Sequence, residues 1–225
     1  MVFFRLRPPT ALEFGPMGAS MGNRLNACEI AVGKAKDLLG RHEYPDDLRT
    51  IIVAGFVDTI IEHHASVLLL ICSEKIGSAF ALLRSIFEGM YRGLWLGFCA
   101  TDADIQQFKK EDKFQLTQAE MAGAIDEKYR AEGFFADLKQ RAWPALNSYA
   151  HTGMLQLERR YTGHELKPAY DDAEISEVII SATTCVLTLV SKFLAVQGFA
   201  DDAREAEKLI GSYGLAAGRP AGPSR

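Results

Sequence analysis

The sequence predicts an all-α fold, a helical bundle of four to five long helices plus short helices, and three observations lead there. Apolar residues recur every three or four positions over long stretches. Helix start and stop signals fall where those stretches begin and end. No stretch alternates apolar and polar residues well enough to make a convincing strand.

The first helix is expected from Arg24 to Leu39, with Asn23 as its cap. Leu25, Cys28, Val32, Ala35 and Leu39 lie along one face of it, and Gly40 ends it. Pro45, Asp46 and Asp47 start a long second helix, to about Ser73, because proline fits the first turn and acids there complement the helix dipole. Its apolar positions Ile51, Ile52, Phe56, Ile60, Ile61, Val67, Leu68 and Ile71 wrap most of the circumference, as in a central helix.

The third helix, about Gly77 to Ala100, carries two stripes at four-residue spacing. Gly77, Ala81, Ser85, Gly89, Gly93 and Gly97 form a small-residue ridge that lets a neighbour approach closely. Beside it run Phe80, Arg84, Glu88, Arg92 and Leu96, which place a carboxylate one turn from each of two guanidiniums in an otherwise apolar helix. A buried charge pair of this kind costs about 3 to 5 kcal/mol when one partner is removed.

Beyond Thr101 the pieces shorten. Asp102 to Lys109 reads as a short helix, and Thr117-Gln118-Ala119-Glu120 is a capping box for a helix to about Glu132. A segment near Phe134 to Gln140 is expected to end before Trp143-Pro144, with Pro144 in the first turn of the next piece. Gly153 breaks that piece, Met154 to Tyr161 resumes it, and Thr162, Gly163, Pro168 and Tyr170 make a loop. Asp171 or Asp172 caps the last long helix, to about Gln197, and a short one follows from Asp201 to Ile210.

With 225 residues, 48% hydrophobic and 24% charged, the chain suffices for one domain, expected at 23–211 between extensions at 1–22 and 212–225. Met17 and Met21 are candidate translation starts, an expectation that N-terminal sequencing tests. A net charge of -4 gives no overall attraction to phosphate backbones. Cys28, Cys72, Cys99 and Cys185 have no CxxC spacing and read as reduced core thiols. The start of the chain lacks the apolar region of a secretory signal, so a cytoplasmic protein is expected. The apolar runs Val178 to Ser191 and Ala65 to Cys72 fall short of about 18 residues, so no membrane partner is expected.

Three groups could carry chemistry. Asp58, Glu62, His63 and His64 lack HxxxH or ExxH spacing, and adjacent helical histidines point about 100° apart, so no metal and no cofactor is expected. Arg84, Glu88 and Arg92 are either a register-fixing network or a ligand site in which Glu88 orients one arginine while the other meets a phosphate, in room left by Gly89 and Gly93. His151 is the candidate acid or base, with Ser148 and Tyr149 beside it and Arg159 and Arg160 as cations for an anionic ligand. A serine hydrolase is not supported, since there is no GxSxG elbow and no strand to hold one.

The segments LLRSIFEGMYRG, LNSYAHTG and QLERRY resemble an uncharacterised group of bacterial helical domains of unknown function, over most of the region from the second helix to Tyr170. More remotely the chain resembles the HEPN superfamily of helical bundles, which implies a dimeric ribonuclease of a toxin or phage-defence type. Asn147 and His151 match that family's polar and histidine positions, but Leu146 stands where its arginine belongs, so the charge would come from Arg84, Arg92, Arg159 or Arg160. Two functional readings follow. The first is a non-enzymatic interaction or regulatory module, a homodimer joined through the small-residue and aromatic faces of the third helix, including Trp95. The second is a metal-independent ribonuclease or nucleotide-binding protein, whose partner would be RNA or a nucleotide.

Overall fold

The computed structural model describes residues 19–162 and 165–212. Among them are nine helices and one minimal hairpin, so the fold is all-α. The long helices are α1 (Ala19–Gly40), α2 (Leu48–Cys72), α3 (Ile76–Phe98), α6 (Phe134–Ala150) and α8 (Asp172–Val196). Between and after them stand α4 (Asp102–Glu111), α5 (Gln118–Tyr129), α7 (Met154–Glu158) and α9 (Ala200–Ser212). The strands β1 (Tyr161–Thr162) and β2 (Glu165–Leu166) pair antiparallel in the expected loop, with Tyr161 opposite Leu166. The extensions expected at the chain ends, with Met17, lie largely outside the described residues.

Local chemistry explains most boundaries. Asp47 caps α2, accepting from the Thr50 amide at 3.1 Å and its hydroxyl at 2.6 Å. Thr101 with Asp104, Thr117 with Glu120 and Asp171 with Glu174 form capping boxes on α4, α5 and α8. Several boundaries differ from expectation: α2 starts only at Leu48, so Pro45 and Asp46 precede its first turn, and α7 ends at Glu158, leaving Tyr161 to β1. Asn23 does not cap α1, which begins at Ala19 because Met21 already belongs to the buried face that continues through Leu25 and Cys28. Nor does Pro144 open a helix: α6 runs straight through it. The proline removes the amide that would have bonded the Gln140 carbonyl, but both residues are exposed, so water can serve that carbonyl.

α3 is the axis of the bundle, packed on α2, α5, α6 and α8. Its small-residue ridge is where α2 and α8 come closest. A β-carbon added at Gly89 would stand 2.5 Å from Ile60 Cγ2, and one at Gly93 would stand 2.9 Å from both Leu189 methyls and 3.3 Å from Phe56 Cβ. Neighbouring side chains therefore fill the room that the sequence assigned to a ligand at Gly89 and Gly93. The same packing spends the faces of α3 proposed for self-association, since Trp95 is itself in the core.

Helices α2 and α8 are each 25 residues long and, by length and composition alone, apolar enough to cross a membrane. This corrects the sequence-based run lengths, which stopped at charged or titratable residues, Glu177 and Lys192 in α8 and His64 in α2, that the helices continue through. Within the bundle, 67% of the apolar window of α8 is buried but only 44% of that of α2, so α2 is not the central helix its apolar pattern suggests, and Ile51 and Leu69 are exposed.

A Gly89→Ala substitution gains about 1 kcal/mol of helix propensity but forces Ile60, a stiff β-branched neighbour, out of place at a typical cost of about 1 to 3 kcal/mol. Gly55, exposed in mid-α2, has no heavy atom within 4 Å of such a β-carbon. Urea unfolding should show Gly55→Ala more stable than wild type and Gly89→Ala less stable.

Candidate functional site

A cleft of about 330 Å³ opens where α6 and α8 both lean on α3 rather than on each other. Its floor is Phe80, Leu83 and Phe87, which the three- and four-residue spacing puts on one face of α3. One wall is Arg141, Ala142, Ala145, Leu146 and Tyr149 of α6, and the other is Glu174, Glu177, Val178 and Ser181 of α8. Leu155 and Arg159, from α7 and the residue after it, complete the lining. Two anchors set α6 at this distance. Asp126 of α5 accepts from the amides of Phe135 and Ala136, both at 2.8 Å, and the Tyr91 hydroxyl donates to the Phe135 carbonyl at 2.7 Å.

Arg159 forms an ion pair with Glu174, whose carboxylate also serves the α8 capping box. Burial pushes the Tyr149 hydroxyl above its ordinary value, while Arg159, hydrogen-bonded to it, pulls the other way. The phenol therefore remains protonated at neutral pH and can donate. Arg141 and Glu177 line the same cleft on opposite walls, and neither has an ionic partner among the described residues. The Arg141 Nε makes one long bond, 3.4 Å, to the Asp137 carbonyl of its own helix.

The other expected site residues are dispersed. Ser148 Oγ accepts from the Leu155 amide at 3.0 Å and packs against Gly153, where an added β-carbon would be 2.6 Å away. The hydroxyl thus fixes the turn into α7. His151 ends α6 with an exposed ring, and no hydrogen bond, ion pair or ring contact joins that ring to any described residue. Arg160 and the Tyr170 hydroxyl both lie against Gly77, where an added β-carbon would stand 2.7 Å from Arg160 Nη2. Of the candidates near the histidine turn, the cleft gathers Tyr149 and Arg159 and leaves out Ser148, His151 and Arg160.

Arg84, Glu88 and Arg92 form a chain along α3 beside the cleft. Glu88 Oε1 accepts from Arg84 Nε at 2.9 Å and Nη2 at 2.5 Å, and Glu88 Oε2 stands 3.7 Å from Arg92. Aromatic rings cover both guanidiniums, Trp143 at 4.0 Å from Arg84 and Phe114 at 5.1 Å from Arg92. The side chains are only partly buried, 17%, 23% and 37% exposed in chain order. Removing one partner therefore costs less than the 3 to 5 kcal/mol of a fully buried pair.

No group of three or more potential metal ligands occurs among the described residues. His63 and His64 diverge as helical geometry requires, and His64 is buried, with Nε2 2.9 Å from Thr183 Oγ1. That hydroxyl donates to the Ile179 carbonyl at 2.7 Å, so it accepts from the imidazole. All four cysteines are free thiols.

Residues 57–205 match a family of unknown function (DUF6988), and the chain belongs to that family. No curated protein and no solved structure matches it.

The sequence reading missed Arg141 as a cleft residue and did not consider Glu177. Arg141, Ala145 and Tyr149 do lie at four-residue spacing, which marks one stripe of α6. That this stripe faces Glu177, Val178 and Ser181 depends on how α6 and α8 straddle α3, which no local pattern encodes.

Burial lowers the His64 pKa from 6.5 to about 4. The unfolded chain therefore takes up a proton near pH 6.5 that the folded chain refuses until about pH 4. The stability contribution is full above pH 6.5 and is lost as the pH falls toward 4. Between pH 7 and pH 5 the loss is about 2 kcal/mol. Urea titrations at the two pH values should show His64→Gln, which cannot titrate, losing less stability than wild type by about that amount.

Proposed function

We propose that the protein is a non-enzymatic binding module whose ligand site is the cleft between α3, α6 and α8. The observation that carries this reading is the cleft's composition: an apolar floor between walls of mixed polarity, with hydrogen-bonding groups converging where Tyr149, Arg159 and Glu174 meet. Its volume of about 330 Å³ is in the usual range for small-ligand sites. The residues suited to nucleophilic or acid-base work support the same reading. Ser148 is committed to the Leu155 amide, and the His151 ring stands outside the cleft. Four free thiols suit work in the reducing cytoplasm.

The alternative, a HEPN-like ribonuclease or phosphate-binding protein, would need His151 and the arginines to share a substrate. Two guanidinium atoms, Arg84 Nη1 and Arg92 Nε, have no hydrogen-bond partner among the described residues, but both are shielded from solvent. A phosphate could not reach them without displacing neighbouring side chains.

A homodimer belongs to the proposed reading on a separate observation. Met154, Leu155, Leu157, Tyr161 and Leu166 are exposed apolar side chains within one short stretch, and Tyr161 and Leu166 form a cross-strand pair on one face of the hairpin. We place self-association there rather than on α3.

The neutral fluorophore N-phenyl-1-naphthylamine tests the cleft. It should bind the folded protein at one site and lose that binding in Ser181→Trp, whose indole fills the space between α6 and α8 above α3. Total RNA incubated with the protein and chelator should remain intact. A fluorophore that ignores the substitution, or RNA cleavage that His151→Ala abolishes, would contradict the reading.

A further inference from the structure

We propose that the cleft takes a large apolar α-amino acid, a small zwitterion with an apolar body. The inference rests on the cleft being the ligand site and adds the chemistry of the ligand.

Four charged side chains line the cleft, and two of them answer each other: Arg159 is paired with Glu174. The remaining two, Arg141 and Glu177, have opposite sign and no ionic partner among the described residues. They stand on opposite walls, since Arg141 belongs to α6 and Glu177 to α8, with the apolar floor of α3 between. Both are exposed, whereas Phe80, Leu83, Phe87 and Val178 of the same lining are buried.

A ligand complementary to this arrangement needs an anionic group for Arg141, a cationic group for Glu177 and an uncharged body between and beneath them. A simple anion answers Arg141 but is repelled by Glu177, and a simple cation does the reverse. A guanidinium fork suits a carboxylate, which it can hold through two parallel hydrogen bonds, and a carboxylate such as that of Glu177 accepts readily from an ammonium. An α-amino acid carries both groups on one carbon, so one molecule spans the mouth.

Size and depth choose among amino acids. A cavity of about 150 Å³ accommodates benzene, so about 330 Å³ holds an aromatic or branched side chain together with its backbone atoms. Phe80, Phe87, Leu83 and Val178 give that side chain a wholly apolar seat. The Tyr149 hydroxyl, protonated at neutral pH, offers a further donor to the ligand carboxylate.

Calorimetric titration with L-phenylalanine tests the assignment, with 3-phenylpropanoate, 2-phenylethylamine and glycine as probes lacking the ammonium, the carboxylate and the apolar body. L-Phenylalanine should bind wild type, and each probe should bind at least tenfold more weakly. Arg141→Met and Glu177→Gln, both exposed positions checked for unchanged urea unfolding, should each weaken L-phenylalanine at least tenfold. Equal binding of a singly charged probe, or full affinity in either variant, would overturn the proposal. So would the absence of any binding by L-phenylalanine, leaving the cleft to a different ligand, such as a helix from a partner protein. N-Phenyl-1-naphthylamine separates the two failures: if it still occupies the cleft, only the amino-acid assignment falls, and if it does not, the cleft reading falls with it.

Discussion

The close approach of three helices along the glycine ridge of α3 is the constraint on which the rest of the bundle depends. Gly89 admits Ile60 from α2 and Gly93 admits Leu189 from α8, at distances no β-carbon would allow. Each glycine sacrifices helix propensity, and dense side-chain packing offsets it. Once α2 and α8 are seated there, the opposite side of α3 must be covered by α5 and α6. Coverage by α6 is incomplete toward α8, and the cleft is that remainder.

The charged stripe has a supporting role in this geometry. Glu88 ties Arg84 in place, and the Arg84 guanidinium carbon stands 4.0 Å from the ring centre of Trp143 in α6. A cation covered by an indole and anchored by a carboxylate holds α6 against α3 at the level of the cleft floor, complementing the Tyr91 and Asp126 bonds at the start of α6. Long charged side chains can act in this way because their stems and planar heads pack as well as they pair.

Much of this was legible in the sequence because it is local. The caps at Thr117 and Asp171 mark helix starts through bonds made within three residues, and the small-residue ridge of α3 is visible as a four-residue period. The failures have physical causes of the same kind. Asn23 looks like a cap, but Met21 finds a seat in the core and draws the helix back. Pro144 looks like a helix start, but on an exposed face water can replace the bond it deletes. The site was legible only in pieces. Tyr149 and Arg159 stood out near the histidine turn, whereas Arg141 and Glu177 acquire their meaning from two helices, 36 positions apart in the chain by their numbers, that meet over a third.

The central claim is that the open face between α6 and α8, and not the histidine turn or the charged stripe, is where this protein meets its ligand. Backbone-amide NMR of isotopically labelled protein, titrated with N-phenyl-1-naphthylamine, tests it most directly. The account predicts shifts concentrated at Leu83, Phe87, Leu146, Tyr149 and Val178, with Arg92 and His151 unmoved. Shifts centred on His151 and Arg160, with the cleft residues silent, would contradict it.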